Sequence, residues 1–145
     1  MKTILAGAVV AVLIAVGAAY VLDDNSGGGV PDVILIASGS EVALAMEAHE
    51  RLVAEGVRSR LVNMASMRLF EQQDNDYKES VLPKSCSSRV AVEAGVTFGW
   101  ERYTGDGGEI IGIDHFGASA PAGTLFEQFG FTADNVYARA KGLLA

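Results

Sequence analysis

Few of the chemistry-bearing residues in this chain stand where they could act together. Ser38-Gly39-Ser40 follows an apolar run and precedes a helical pattern. Free backbone N–H groups and the positive end of a helix dipole would meet there, which makes Ser38, Gly39 and Ser40 a candidate anion site. The competing reading has Ser40 cap the helix and Gly39 make the turn, and it accounts for all three residues. Glu41 beside them would repel a phosphate. Glu93 closes another apolar run and reads as an acid that caps the turn at Gly95. His49 falls on the apolar stripe of a helix, as a boundary residue rather than a base. His115 follows a strand end beside Phe116-Gly117, and the lone Cys86 reads as a passive small side chain. No Ser, Cys or Asp is paired with a histidine at an interpretable spacing, so no nucleophile–base set is expected.

The elements that must position these residues follow from pattern. Asp32 to Ala37 is a continuous β-branched apolar run, as in a central strand covered on both faces. Val42, Ala45, Met46, His49, Leu52 and Val53 recur at helical spacing after Ser40, and Gly56 ends that helix. Arg58 to Met64 alternates as a strand. Ser66 to Gln73 and Asn75 to Val81 read as short helices stopped by Pro83, and Arg89 to Glu93 as a strand. Phe98 to Tyr103 reads as a short helix and Glu109 to Asp114 as a strand. Pro121 opens a helical turn, and Thr132 caps a last helix from Ala133 to Leu144. Strands alternating with helices predict an α/β fold. The expectation is a single three-layer domain with a mostly parallel sheet of about five strands and helices on both faces.

A net charge of −7 and a pI near 4.7 argue against nucleic acid as a partner, because a phosphate backbone needs a basic face. One cysteine excludes an internal disulfide framework and lacks the companions of a structural zinc site. Residues 3–22 carry no charge, with Lys2 before them and Asp23-Asp24 after. About twenty helical residues would span roughly 30 Å, the apolar thickness of a bilayer. Residues 1–22 therefore read as an apolar leader, a signal or anchor through which a membrane is a possible partner. Residues 23–31 then read as a linker and 32–145 as the folded domain. The richness in Ala and Gly weighs against insertion.

Four segments carry a resemblance. HFGASAPAGTLFEQFGFTADNV from His115, PDVILIASGSEVALAMEA from Pro31, ESVLP from Glu79 and RVAVEAGVTFGW from Arg89 together closely resemble the C-terminal domain of transketolase, in the family's order. Full-length members move a two-carbon ketol unit between sugar phosphates, with thiamine diphosphate and a Mg or Ca ion. The resemblance implies that those groups are held by two preceding domains. The third domain supports them and contributes to the dimer, so no catalytic, cofactor-binding or metal residue is carried over to this chain. The chain by itself is then expected to bind no cofactor and to have no ketol transferase activity unless other chains supply those domains. Its expected partners are other transketolase domains or a homodimer contact. The alternative is a stand-alone, membrane-tethered module that binds a ligand or a partner.

Two further points rest on the resemblance. Gly105-Asp106-Gly107, with Asn135 beyond it, mimics the Asp and Asn spacing with which thiamine enzymes hold the diphosphate's metal. The genuine motif follows a strand. Here Trp100 to Tyr103 precede it and the strand comes after, so an ordinary turn is expected. Gly17-Ala18-Ala19-Tyr20-Val21-Leu22-Asp23 resembles the family's lead-in to this domain, which would put Tyr20 to Leu22 in the first strand rather than in a leader. A cytoplasmic placement follows from the family, with membrane anchoring or secretion through residues 3–22 as the alternative.

Overall fold

The computed structural model describes residues 18–145. Its centre is β2 (Val33–Ala37), whose five residues are all buried, as a β-branched run between two helical layers should be. β3 (Ser59–Asn63) and β4 (Arg89–Val92) flank it in parallel, and β5 (Glu109–Ile111) extends the β4 side. β1 (Tyr20–Asp24) closes the β3 edge antiparallel, giving the order β1-β3-β2-β4-β5. The sheet is thus five-stranded, mixed and mostly parallel.

Strand alternation divides the core into two layers. Ile34, Ile36, Val62 and Ala91 face helices α2 (Met67–Glu71), α3 (Asn75–Val81) and α4 (Glu101–Thr104), packing with Phe70, Val81, Trp100 and Tyr103. Val33, Leu35, Leu61, Val90 and Val92 face α1 (Glu41–Ala54) and α6 (Ala133–Gly142), packing with Ala45, Ala48, Leu52, Val136 and Ala140. Phe131 seals this second layer beside α5 (Ala122–Gln128). Each such large apolar side chain contributes about 1.5–3 kcal/mol on burial. The expected cap at Thr132 is present, and Asp74 caps α3 in the same way. Their side chains accept from the backbone N–H groups of Asn135 and Tyr77.

β1 draws residues before 25 into the domain. Ala18 and Ala19 are fully buried, the Ala18 carbonyl accepts from Ser66 N at 3.0 Å, and the Tyr77 hydroxyl donates to the Ala19 carbonyl. Residues 18–22, read alternatively as the end of an apolar leader, are therefore part of the core and the sheet edge. Asp23 and Asp24 complete the strand instead of starting a linker. Residues 1–17, with most of the leader, lie outside the described residues. Among the described residues no helix is long and apolar enough to cross a membrane.

A bulge shapes that edge. Val21 pairs with Val62 while Asp23 pairs with Leu61, so Leu22 is the extra residue. Because side chains alternate faces, the extra residue turns Asp23 toward α1 and Asp24 toward α3. Asp23 Oδ2 lies 3.4 Å from His49 Nε2, and Asp24 Oδ2 accepts from Arg60 Nη2 at 2.8 Å. Arg60 also donates to the Ser80 and Val81 carbonyls at 2.9 and 3.2 Å, so a buried arginine closes the C-terminal end of α3.

Candidate functional site

In an open α/β sheet, ligand sites form outside the carboxyl ends of the strands, where the chain winds first to one side and then to the other. Here the chain leaves β2 through α1 for β3, then returns past β2 to β4. The switch point is the gap between β2 and β4, and the residues that follow those strands meet there. Ser38 Oγ donates to Glu93 Oε2 at 2.7 Å, across 55 residues of sequence. A cavity of about 420 Å³ opens beside this pair, walled by Met64, Met67, Phe98 and Trp100.

Local chemistry explains the geometry. Gly39 has φ +55°, a left-handed turn that lets the chain reverse from β2 into α1. Ser40 does not cap the helix: its backbone is already helical (φ −70°, ψ −25°), so its hydroxyl cannot reach the N–H groups of the first turn. It donates instead to Glu41 Oε1 at 2.8 Å. Ser38 and Ser40, two of the three residues of the candidate anion site, thus each donate a hydroxyl hydrogen bond to a carboxylate. Glu93 does not cap Gly95 through its side chain; a backbone bond, Gly95 N to Glu93 O at 2.8 Å, closes that turn.

The loop beyond Glu93 is pinned from outside. Asp114 accepts from Thr97 N at 2.9 Å and from Thr97 Oγ1 at 2.7 Å, and these bonds hold its carboxyl below the usual range. Gly112 must be glycine, because a Cβ there would lie 2.6 Å from Thr97 Cγ2 and 3.0 Å from the Gly95 carbonyl. Gly99, with φ +95°, delays the helix expected from Phe98 until Glu101, and Phe98 is left 85 % exposed over the cavity. Val96 and Phe116 are exposed as well, Phe116 at 99 %. Of the aromatic residues around Pro121, Phe131 is buried, and Phe126 and Phe129 pack partly against the core.

The remaining chemistry-bearing residues are placed apart from this edge. His49 is 1 % exposed, its Nδ1 2.9 Å from Ser59 Oγ and its Nε2 facing Asp23. Asp23–His49–Ser59 has the order of a catalytic triad, yet Ser59 is fully buried in β3 and no substrate reaches it. The set fixes the sheet edge to α1. Cys86 is buried, and burial pushes its thiol up, away from the nucleophilic thiolate. His115 packs edge-on to Phe129 at 5.0 Å, with Nδ1 2.8 Å from the Phe116 carbonyl.

A second cavity, of about 430 Å³, lies among α2, α3 and α4. Its Arg89 is engaged with the carbonyls of Leu82, Pro83, Cys86 and Tyr103, tying together the ends of α3 and α4. Burial, with the Glu71 carboxylate alongside, pushes the Tyr103 hydroxyl up to about 12.

The residues that imitate a thiamine diphosphate metal site do not fit one. Gly105 ends α4 with φ +75°, Asp106 and Gly107 lie in the exposed turn before β5, and the Asn135 amide donates to the Gly130 carbonyl at 2.8 Å. A metal ligand would project from a strand end, and these do not.

Sequence reasoning missed the Ser38–Glu93 pair and the Asp23–His49–Ser59 set. The signal for the first was available: both residues directly follow apolar strands, and only the strand order was needed to bring them together.

The comparisons with known proteins agree on one family. A family model described as the transketolase-like TK C-terminal domain matches residues 17–132. Transketolase 1 of Escherichia coli (strain K12) is 56 % identical over 125 residues, 86 % of this chain and 19 % of that protein. The chloroplastic transketolase of Craterostigma plantagineum is 54 % identical over 125 residues, 86 % of this chain and 24 % of that protein. The solved transketolase of Leishmania mexicana superposes with a TM-score of 0.80 at 38 % identity, covering 90 % of this chain and 18 % of that one. The chain thus spans about a fifth of the length of the relatives it matches. The family model over most of the chain, with these relatives, makes the chain a member of the transketolase C-terminal domain family.

Proposed function

We propose that this chain is the supporting part of a transketolase, one that positions the cofactor-holding parts of the enzyme and contributes to its dimer without making or breaking bonds itself. In this reading thiamine diphosphate and its Mg or Ca ion are held elsewhere in the assembly and supply the ketol-transfer chemistry there. The observation that carries the reading is the exposed apolar face at the carboxyl edge of the sheet. Phe98 and Phe116 lie open beside Val96, while the other aromatic residues are buried or half-buried. An apolar face of this kind on a domain spanning a fifth of its relatives' length suits contact with the other four-fifths.

The side chains of the candidate site support the same reading. Ser38 and Ser40 are committed to carboxylates, and Asp106 and Asn135 are held by a turn and a helix start. The test is substitution. Escherichia coli transketolase 1 whose matching segment is replaced by this chain should fold, dimerise and transfer ketol units. A hybrid that folds but remains monomeric and inactive argues against the reading.

A further inference from the structure

The cavity at the ends of β2 and β4 has an unusual charge balance. Its charged group is the Glu93 carboxylate, which accepts a hydrogen bond from Ser38 beside it. Glu41 nearby accepts from Ser40. Among the described residues no Lys, Arg or His forms an ion pair with either carboxylate; the close ion pairs use other Asp and Glu residues. The walls are soft and apolar: Met64 and Met67 on one side, Phe98 and Trp100 on the other. A carboxylate at the foot of such walls selects against anions by repulsion. It also selects against neutral apolar ligands, which would strip its water without replacing the hydrogen bonds. An organic cation on an apolar stem satisfies both parts. Its N–H groups donate to Glu93 with charge assistance, and its cationic plane packs on an aromatic face.

We propose that this cavity binds an alkyl guanidinium or ammonium group, held by Glu93 with Phe98 and Trp100 as its walls. The sign of the ligand is the reverse of the anion that Ser38-Gly39-Ser40 suggests by spacing. The group can come from a free amine or guanidine, or from an Arg or Lys side chain of an adjoining polypeptide. The chemistry at the cavity is the same in both cases and does not rest on the scaffold reading.

Trp100 is the chain's one tryptophan and lines this cavity, so its emission responds to a ligand that enters it. N-acetyl-arginine methylamide carries a single guanidinium with neutral caps, and the matching citrulline derivative is its uncharged counterpart. Titration with the arginine probe should change Trp100 emission saturably, with Kd on the order of 1 mM for a ligand of this size. The citrulline probe should bind at least about tenfold more weakly, since a charge-assisted bond is lost. Glu93→Gln, which keeps an acceptor for Ser38, should weaken the arginine probe by a similar factor. Phe98→Ala, at an exposed position that does not support the core, should weaken it as well.

N-propylguanidine, a single cation without the peptide caps, in place of the capped arginine separates the sources. Tighter propylguanidine binding supports a free small molecule, and tighter binding of the capped residue supports a side chain from a protein. Equal responses to the arginine and citrulline probes, no response to either, or a Glu93→Gln protein of unchanged melting temperature that binds as before would each overturn the proposal.

Discussion

Replacing Asp24 by Asn tests whether the bulged edge strand is held by charge. Asp24 Oδ2 meets Arg60 Nη2 at 2.8 Å, with side-chain exposures of 26 % and 10 %. Removing one partner of a fully buried pair costs about 3–5 kcal/mol. An exposed pair is worth about 0–1 kcal/mol. Asp24 sits between these limits, and Asn retains an acceptor for the Ser26 N–H that Asp24 Oδ1 holds at 3.0 Å. A loss of about 2 kcal/mol is therefore expected, with Arg60 left on its two carbonyl bonds. For a domain of this size that is a drop of roughly 5–10 °C in Tm at pH 7.

The pH dependence supplies a second readout. Burial raises the Asp24 carboxyl, but the hydrogen bonds from Arg60 and Ser26 outweigh it and hold the group below the ordinary carboxylate value. A depressed folded-state value stabilises fully above the unfolded pKa of about 3.9 and is lost as pH falls through the folded one. The Tm gap between wild type and Asp24→Asn should therefore stay constant from pH 7 to about 5 and narrow progressively as pH falls below the unfolded pKa of about 3.9. Calorimetric scans across that range measure it. A gap under about 1 °C at pH 7, or one that persists undiminished at pH 2.5, would refute the reasoning.

Other outcomes follow from single positions. Gly108→Ala places a Cβ 2.6 Å from the Thr104 carbonyl and 2.9 Å from that of Arg89, so it should cost more than about 2 kcal/mol by denaturant titration; Gly123→Ala, where nothing lies within 4 Å, should change stability by less than about 1 kcal/mol. Cys86, buried with its thiol pushed up, should react with a disulfide reagent at neutral pH only at the rate of unfolding, and fast labelling of the native protein would contradict the burial. The isolated chain should self-associate at high concentration through Val96, Phe98 and Phe116. The double variant Phe98→Ser, Phe116→Ser should be monomeric in light scattering with little change in Tm, because neither ring supports the core.

Much of the fold was legible because its elements obey a single period. Val33–Ala37 is apolar throughout and becomes the central strand, and Asn75–Val81 and Thr132 carry their helix signals locally. The site was less legible because its parts lie far apart in sequence. Ser38 and Glu93 meet only once β2 and β4 pair, and strand order is not encoded in either segment. Ser40 looked like a cap because capping is judged by residue type, whereas its helical backbone decides the matter. Asp23 and His49 come together through a one-residue bulge, which reverses the face that simple alternation would assign. The helix expected from Phe98 starts late because Gly99 turns the chain first, and that delay leaves Phe98 over the cavity.

On the proposed reading this domain supports ketol transfer without supplying a reacting group. The direct measurement is turnover of xylulose 5-phosphate and ribose 5-phosphate, with thiamine diphosphate and magnesium present, by the purified chain and by the Escherichia coli transketolase 1 hybrid that carries it. No turnover is expected from the chain and turnover near the parent's from the hybrid; measurable ketol transfer by the chain alone would overturn that reading.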